Sequence, residues 1–213
     1  PMRDIVLAQN RVFPEFRITE GVGDGANAVI DFLDPVLAVL KAVLKALVGG
    51  VEIALTAPPD IVVIAVLAGL AWWARGVGLA VFTAVAFSFV AMVGFYESTM
   101  ETLALVFVAT AIAVAIGVPL GIAAARRSTL ATAIRPVLDF MQTMPSFVYL
   151  LVVVTMFSIG PAPGVAASVV FAMPPAVRLT ELGIRQVDAE VVEAANAFGA
   201  TPREVLRGVQ LPL

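Results

Sequence analysis

The feature that most constrains this chain is a long apolar stretch without a charged residue, at residues 102–125. At about 1.5 Å rise per residue, a helix over this stretch could cross the roughly 30 Å hydrocarbon core of a bilayer. Of the 213 residues, 61% are hydrophobic and 14% are charged, and the mean hydropathy is +1.01. A soluble domain has about 45–50% apolar and about 25% charged residues. The sequence therefore predicts an all-α fold, a polytopic transmembrane helix bundle.

The sequence contains neither histidine nor cysteine. This excludes disulfides, thiolate or imidazole metal sites, and catalytic pairs that use histidine or a thiol. A Walker-type phosphate loop needs a lysine that follows glycine, whereas Lys41 and Lys45 each follow leucine. We therefore predict no catalytic residue, metal or cofactor on this chain. The net charge of −3 and the pI of about 4.9 argue against nucleic acid as a partner.

The N-terminal region divides into an arm and an amphipathic helix. Residues 1–30 have no long apolar run, which predicts an irregular arm. Asp34 as N-cap, Pro35 at the first helical position and two glycines at 49–50 predict a helix over residues 34–50. At about 21 Å it is too short to span a bilayer, so we expect it to lie in the membrane interface, in contact with lipid. Packing on the rest of the protein is the alternative.

Five membrane spans are expected to follow, at residues 60–73, 76–95, 102–125, 137–159 and 165–179. The resulting regions are 1–57 (arm and amphipathic helix), 58–95 (two accessory spans) and 96–213 (the remaining spans and the segment after them). Arginines occur in alternate connections, and positive charge favours the cytoplasmic side. They are Arg75, Arg126, Arg127, Arg135, Arg178, Arg185, Arg203 and Arg207. We therefore expect the N-terminus outside and the segment after the fifth span in the cytoplasm.

The third span contains a pair of glycines with a proline between them. Gly117 and Gly121 have the small-xxx-small spacing that lets two helices approach closely, and Pro119 removes a backbone hydrogen bond. Ordinary helix packing is one interpretation of this pattern. A hinge used in gating is the other.

Polar and proline residues interrupt the later spans. Gln142, Thr143 and Pro145 predict a break in the fourth span, and the prolines at 174–175 predict another in the fifth. Gln142, Thr143 and Pro145 either line a translocation pathway or serve hydrogen bonding between helices. A turn is expected at 160–164.

Ionisable groups are absent from the middle of the predicted spans. Asp139, at the end of the fourth span, is expected to be a surface ion-pair partner of a nearby arginine. Carriers driven by an ion gradient tend to need ionisable or carbonyl-lined sites inside the bilayer. The pattern therefore disfavours a secondary transporter, and it offers no acid pair for an intramembrane enzyme.

The segment after the fifth span carries its own helix signals. Asp188 predicts the N-cap of a helix over residues 189–198, and Gly199 predicts a left-handed stop. Thr201 and Glu204 then form a T-x-x-E capping box for a second helix. A solvated helix on the membrane face is the alternative to a functional role.

The spacing in this segment resembles the E-A-A loop of ABC importer permeases. The matching positions are Glu193, Ala194, Ala195, Gly199, Val209, Leu211 and Pro212, with valine where that family usually has isoleucine. Stretches at 101–105, 117–122, 135–139, 141–150 and 174–180 resemble the glycine betaine/proline betaine permease subfamily. Members continue beyond this loop with further membrane helices, so we expect the 213 residues to be a truncated permease.

The resemblance implies the type I ABC importer permease fold and a role in importing compatible solutes. It implies that helix 189–198 couples the spans to cytoplasmic ATPase subunits, which would bind ATP and Mg. The coupling residues implied are Glu193, Ala194, Ala195, Phe198, Gly199, Leu211 and Pro212. The other partners implied are a second permease copy and an external substrate-binding protein. A permease for another amino-acid-like substrate, an ion-coupled transporter and an assembly scaffold are the alternatives.

Overall fold

The computed structural model describes residues 18–211, and side chains within 32–211 other than Ser146. The chain divides into two compact units, Pro1–Val39 and Leu40–Leu213. Every regular element between residues 18 and 211 is helical, which confirms the all-α prediction. The helices are α1 (Ile18–Thr56), α2 (Asp60–Arg75), α3 (Val77–Met92), α4 (Tyr96–Arg126), α5 (Ser128–Thr143), α6 (Ser146–Phe157), α7 (Pro161–Gln186), α8 (Ala189–Ala197) and α9 (Pro202–Val205), with a π-helical turn at Leu206–Gln210.

Helix α1 corrects the prediction for the N-terminal region. Residues 18–30 are helical rather than irregular, and the helix passes through Pro35 and through both glycines at 49–50. Glycine inside a helix costs only about 1 kcal/mol relative to alanine, and neither glycine adopts a positive φ here. The short-helix argument for an interfacial position is therefore wrong, and contact with lipid stays a prediction. Residues 1–17 of the predicted arm lie outside the described residues.

Two helices in the described part of the chain are long and apolar enough to cross a membrane unaided, α4 and α7. The other candidates are bent pairs: α1 with α2 at 103°, and α5 with α6 at 95°. Helix α3 is apolar but has only 16 residues. Length and composition thus support two to four spans, and the count of five stays a prediction.

Prolines act differently in the two later spans. At Pro145 the chain breaks as predicted, because the residue before a proline is pushed into extended backbone, and Met144 has ψ 135°. Helix α7 instead runs unbroken through Pro174 and Pro175, which overturns the second predicted break. It also begins at Pro161, so that the predicted turn at 160–164 is shorter. Pro174 is buried where α7 packs along α4, and this packing supports the helix where a backbone bond is missing.

The α4–α7 pair has the most extensive contact among the described helices. The buried positions of α4 are mostly small, including Ala104, Ala109, Ala113 and Ala124, which allows the two backbones to approach closely. A smaller cluster joins α2 to the start of α4 through Val63, Tyr96 and Met100. The segment that follows α7 is therefore joined to the end of this helix pair at which α7 stops.

Candidate functional site

Helix α8 begins where the sequence predicts. The Asp188 carboxylate accepts a hydrogen bond from the amide of Glu190 at 3.0 Å, which satisfies one of the free amides of the first turn. The helix runs to Ala197, one residue short of the predicted end. Asp188 is thus confirmed as the N-cap.

A complete glycine stop ends α8. Gly199 has φ +82°, in the left-handed region that favours glycine. The amide of Ala200 donates to the carbonyl of Ala195 at 3.1 Å, and the amide of Gly199 donates to that of Asn196 at 2.9 Å. These are the two bonds of a Schellman motif. They hold the end of α8 in one conformation through local contacts alone.

The next helix, α9, starts with the predicted capping box. The amide of Thr201 donates to the Glu204 carboxylate at 2.7 Å, and the amide of Glu204 donates to the Thr201 hydroxyl oxygen at 3.4 Å. The hydrogen bonds from the Thr201 backbone and hydroxyl lower the pKa of Glu204, because they favour its charged form. The turn between α8 and α9 is therefore specified on both sides.

The predicted coupling side chains are largely exposed. Glu193 and Ala194 are exposed, Ala195 is half-buried, and the Phe198 ring is 92% exposed. No residue of α8 is buried against the rest of the described structure. A phenylalanine this exposed, directly after the last residue of α8, offers an apolar contact for another surface.

A groove of about 610 Å³ separates α8 from the helix pair. Its lining includes Val118 from α4, Thr180 from α7, Val191 from α8 and Leu211. Leu211 follows the π-helical turn, where its amide donates to the carbonyl of Leu206 at 2.9 Å. The structure thus brings Leu211 to the base of α8. Pro212, the last predicted coupling residue, lies outside the described residues.

Helices α4 and α7 approach closely at Gly117 and Gly121. A Cβ atom on Gly117 would lie 2.6 Å from the Cβ of Ala176, and one on Gly121 would lie 2.6 Å from the carbonyl oxygen of Val177. These contacts confirm the packing interpretation of the glycine pair. Pro119 is exposed on the continuous helix α4. A hinge at this point stays a prediction.

The residues proposed for a pathway lie together at the α5–α6 break. Gln142, Thr143 and Pro145 are all exposed. The Tyr149 hydroxyl donates to the carbonyl of Met141 across the break and so fixes the bend, a role that the sequence analysis did not assign. The pathway itself stays a prediction.

A cluster of charged side chains lies where α4, α5 and α7 meet. Its central carboxylate, Glu181, is not among the residues predicted from the sequence. Glu181 is buried, with its side chain 9% exposed, and Glu181 Oε1 lies 3.0 Å from Arg185 Nε and 3.3 Å from Arg135 Nη2. A second pair, Arg178 with Asp139, confirms the surface ion pair expected of Asp139. The predicted fifth span ends at residue 179 and therefore does not include Glu181. In the structure α7 continues to Gln186, which places Glu181 on the buried face with Val177 and Ile184.

We expect Glu181→Gln to lower the free energy of unfolding by about 1–3 kcal/mol, because two arginines lose the buried carboxylate that pairs them. Asp139→Asn is the matched control: both members of its pair are 40% or more exposed, and such pairs contribute about 0–1 kcal/mol. Denaturant titration in detergent measures both. Equal losses would contradict the distinct role of Glu181.

Comparison with protein families matches residues 117–213 to the family described as "Binding-protein-dependent transport system inner membrane component". The glycine betaine transport system permease protein OpuAB of Bacillus subtilis (strain 168) is 46% identical over 170 residues, which are 80% of this chain and 60% of that protein. The glycine betaine/proline betaine permease ProW of Escherichia coli (strain K12) is 43% identical over 90% of this chain and 54% of its own length.

A third relative, the glycine betaine/carnitine permease GbuB of Listeria monocytogenes serotype 1/2a (strain 10403S), is 48% identical over 73% of this chain and 56% of its own. The chain thus spans between 54% and 60% of the length of these relatives. Their names all describe transport permease proteins. Residues 117–213 of this chain therefore resemble the family of binding-protein-dependent transport system inner membrane components.

Proposed function

We propose that this chain forms part of the permease subunit of an ATP-driven importer. The observation that carries the proposal is helix α8, which has no buried residue, is stopped by a Schellman motif, and carries the E-A-A…G…L-P spacing. A helix of this kind can enter a groove on an ATPase subunit without changing its own conformation. ATP and Mg would be bound by that partner.

The proposed mechanism is alternating access driven from outside the chain. ATP binding moves the partner ATPases as rigid bodies, α8 follows them, and the helix pair it is joined to changes its packing. A second permease copy and an external substrate-binding protein complete the proposed assembly. The proposed position is the inner membrane of a bacterium, with α8 on the cytoplasmic side.

The proposed substrate is a compatible solute of the glycine betaine type. The support is that the names of the three relatives include glycine betaine, two of them with proline betaine or carnitine as a further substrate. All three substrates carry a quaternary ammonium group, which aromatic side chains recognise. We expect most of the selectivity to reside in the binding protein.

Reconstitution tests this function. The full permease is assembled with its co-purifying ATPase and binding protein in liposomes, and uptake of radiolabelled glycine betaine is followed with ATP inside or with an imposed sodium or proton gradient. Uptake that requires hydrolysable ATP is the expected result. Uptake that follows the ion gradient without ATP would instead identify an ion-coupled transporter.

The orientation is a separate prediction. Single cysteines at Arg126 and Arg203 are expected to react only after the membrane is opened, and those at Glu97 and Pro161 to react in sealed cells. These 213 residues contain no thiol, so in a permease otherwise free of cysteine each label reports one position. Reaction of a cysteine at 203 in sealed cells would overturn the orientation and the coupling role of α8.

A further inference from the structure

The segment formed by α8, α9 and the π-helical turn has very few polar connections to the helices before it. Among the side chains that the structure describes, within residues 32–211, one hydrogen bond joins the two parts: Arg126 Nη2 donates to the carbonyl oxygen of Pro202 at 2.7 Å. The two residues are 76 positions apart. Because so few polar contacts hold the segment, this one bond has a large influence on the position of the segment relative to α4.

The acceptor lies at a defined point of the segment. Pro202 is the first residue of α9, directly after the capping residue Thr201, and its carbonyl also accepts the amide of Leu206. A carbonyl oxygen has two lone pairs, so that it can accept both bonds. Arg126 is therefore hydrogen-bonded to the first residue of α9, three residues beyond the Gly199 stop of α8.

The donor lies at the end of α4, which a further hydrogen bond connects to α7. Arg126 is the last residue of α4, and the carbonyl of Ala124, in the same turn, accepts a hydrogen bond from Arg185 Nη2 at 3.1 Å. Arg185 is in turn held by the buried Glu181, which also binds Arg135 on α5. Displacement of α9 would thus act on the packed ends of α4, α5 and α7 together.

We infer that Arg126 is a positioning residue that transmits the movement of α8 and α9 into the α4–α7 helix pair. The inference rests on the proposed function, since it assigns the mechanical connection that an ATP-driven importer needs. The chain provides a matched control in Arg127, which is exposed and makes no side-chain hydrogen bond or ion pair with the described residues.

The test compares Arg126→Gln, Arg126→Lys and Arg127→Gln in the complete permease–ATPase assembly. Each glutamine variant removes one positive charge from the same connection, but only Arg126→Gln removes the bond to Pro202. Glycine betaine imported per ATP hydrolysed is expected to fall about tenfold in Arg126→Gln, which is within the usual range of coupling free energies. Arg127→Gln is expected to stay near the wild-type ratio. Arg126→Lys keeps a donor and is expected to recover part of the loss.

A second readout uses the purified full permease without its ATPase. A spin label on the exposed position 196, introduced as Asn196→Cys in a cysteine-free background, is expected to move more freely in Arg126→Gln than in Arg127→Gln. An unchanged import ratio in Arg126→Gln would overturn the inference, whatever the label shows, and so would equal label mobility in the two variants. Absence of ATP-driven import in the wild type would instead remove the proposed function, and the coupling role with it.

Discussion

Gly199→Asp is expected to abolish solute uptake while the permease still inserts and still binds the external binding protein. An L-residue at φ +82° costs about 1–2 kcal/mol, which disturbs the Schellman stop between α8 and α9. A Cβ atom at this glycine would meet nothing of the described structure within 4 Å, so the larger effect is expected at the partner. There the new carboxylate would be desolvated without a counter-ion. Uptake and detergent pull-down of the ATPase measure both consequences.

Gly199→Asn distinguishes the effect of backbone strain at residue 199 from the effect of the added carboxylate charge. Asparagine is close to aspartate in size and tolerates left-handed backbone better than most residues, but it is neutral. We expect Gly199→Asn to retain partial uptake, and Glu193→Ala to lose less than Gly199→Asp. Normal uptake and normal ATPase stimulation in Gly199→Asp would mean that α8 is a solvated surface helix.

Gly121→Ala is expected to be the most destabilising single-methyl change in the helix pair. The added carbon would lie 2.6 Å from both the Cβ of Thr180 and the carbonyl oxygen of Val177, and backbone cannot yield as a flexible side chain can. Overpacking of this kind typically costs about 1–3 kcal/mol. Denaturant titration of the purified permease in detergent measures the free energy of unfolding, and loss of the α4–α7 contact is expected to lower uptake in parallel.

Gly69→Ala is the matched control for this prediction. Gly69 lies inside α2, and a Cβ atom there would have no heavy atom of the described structure within 4 Å. The same change is therefore expected to be neutral or to stabilise the helix by up to about 1 kcal/mol. Equal losses in the two variants would show that the close approach at Gly121 does not limit stability.

The local features of the candidate site could be predicted because their causes lie within a few residues. Asp188 caps α8 through an amide two positions away, and Thr201 and Glu204 satisfy each other across three positions. Such features need no tertiary contact, so the sequence alone predicts them.

Continuation of a helix through weak points was not predictable in the same way. The glycines at 49–50 and the prolines at 174–175 are ordinary stop signals, yet α1 and α7 pass through them. A stop signal costs a few kilocalories per mole at most, and in α7 the packing along α4 offsets this. Propensity therefore located the weak points correctly but could not decide whether the helix ended there.

The sequence by itself determined that the chain is helical and apolar, where α8 and α9 begin, and how α8 ends. Only the tertiary structure decided that Glu181 is buried between Arg135 and Arg185, and that Arg126 reaches Pro202. The physical reason is distance along the chain: Arg135 and Glu181 are 46 positions apart, and Arg126 and Pro202 are 76. Periodicity and capping rules extend over one or two helical turns, whereas pairs so far apart meet only after α4, α5 and α7 have packed.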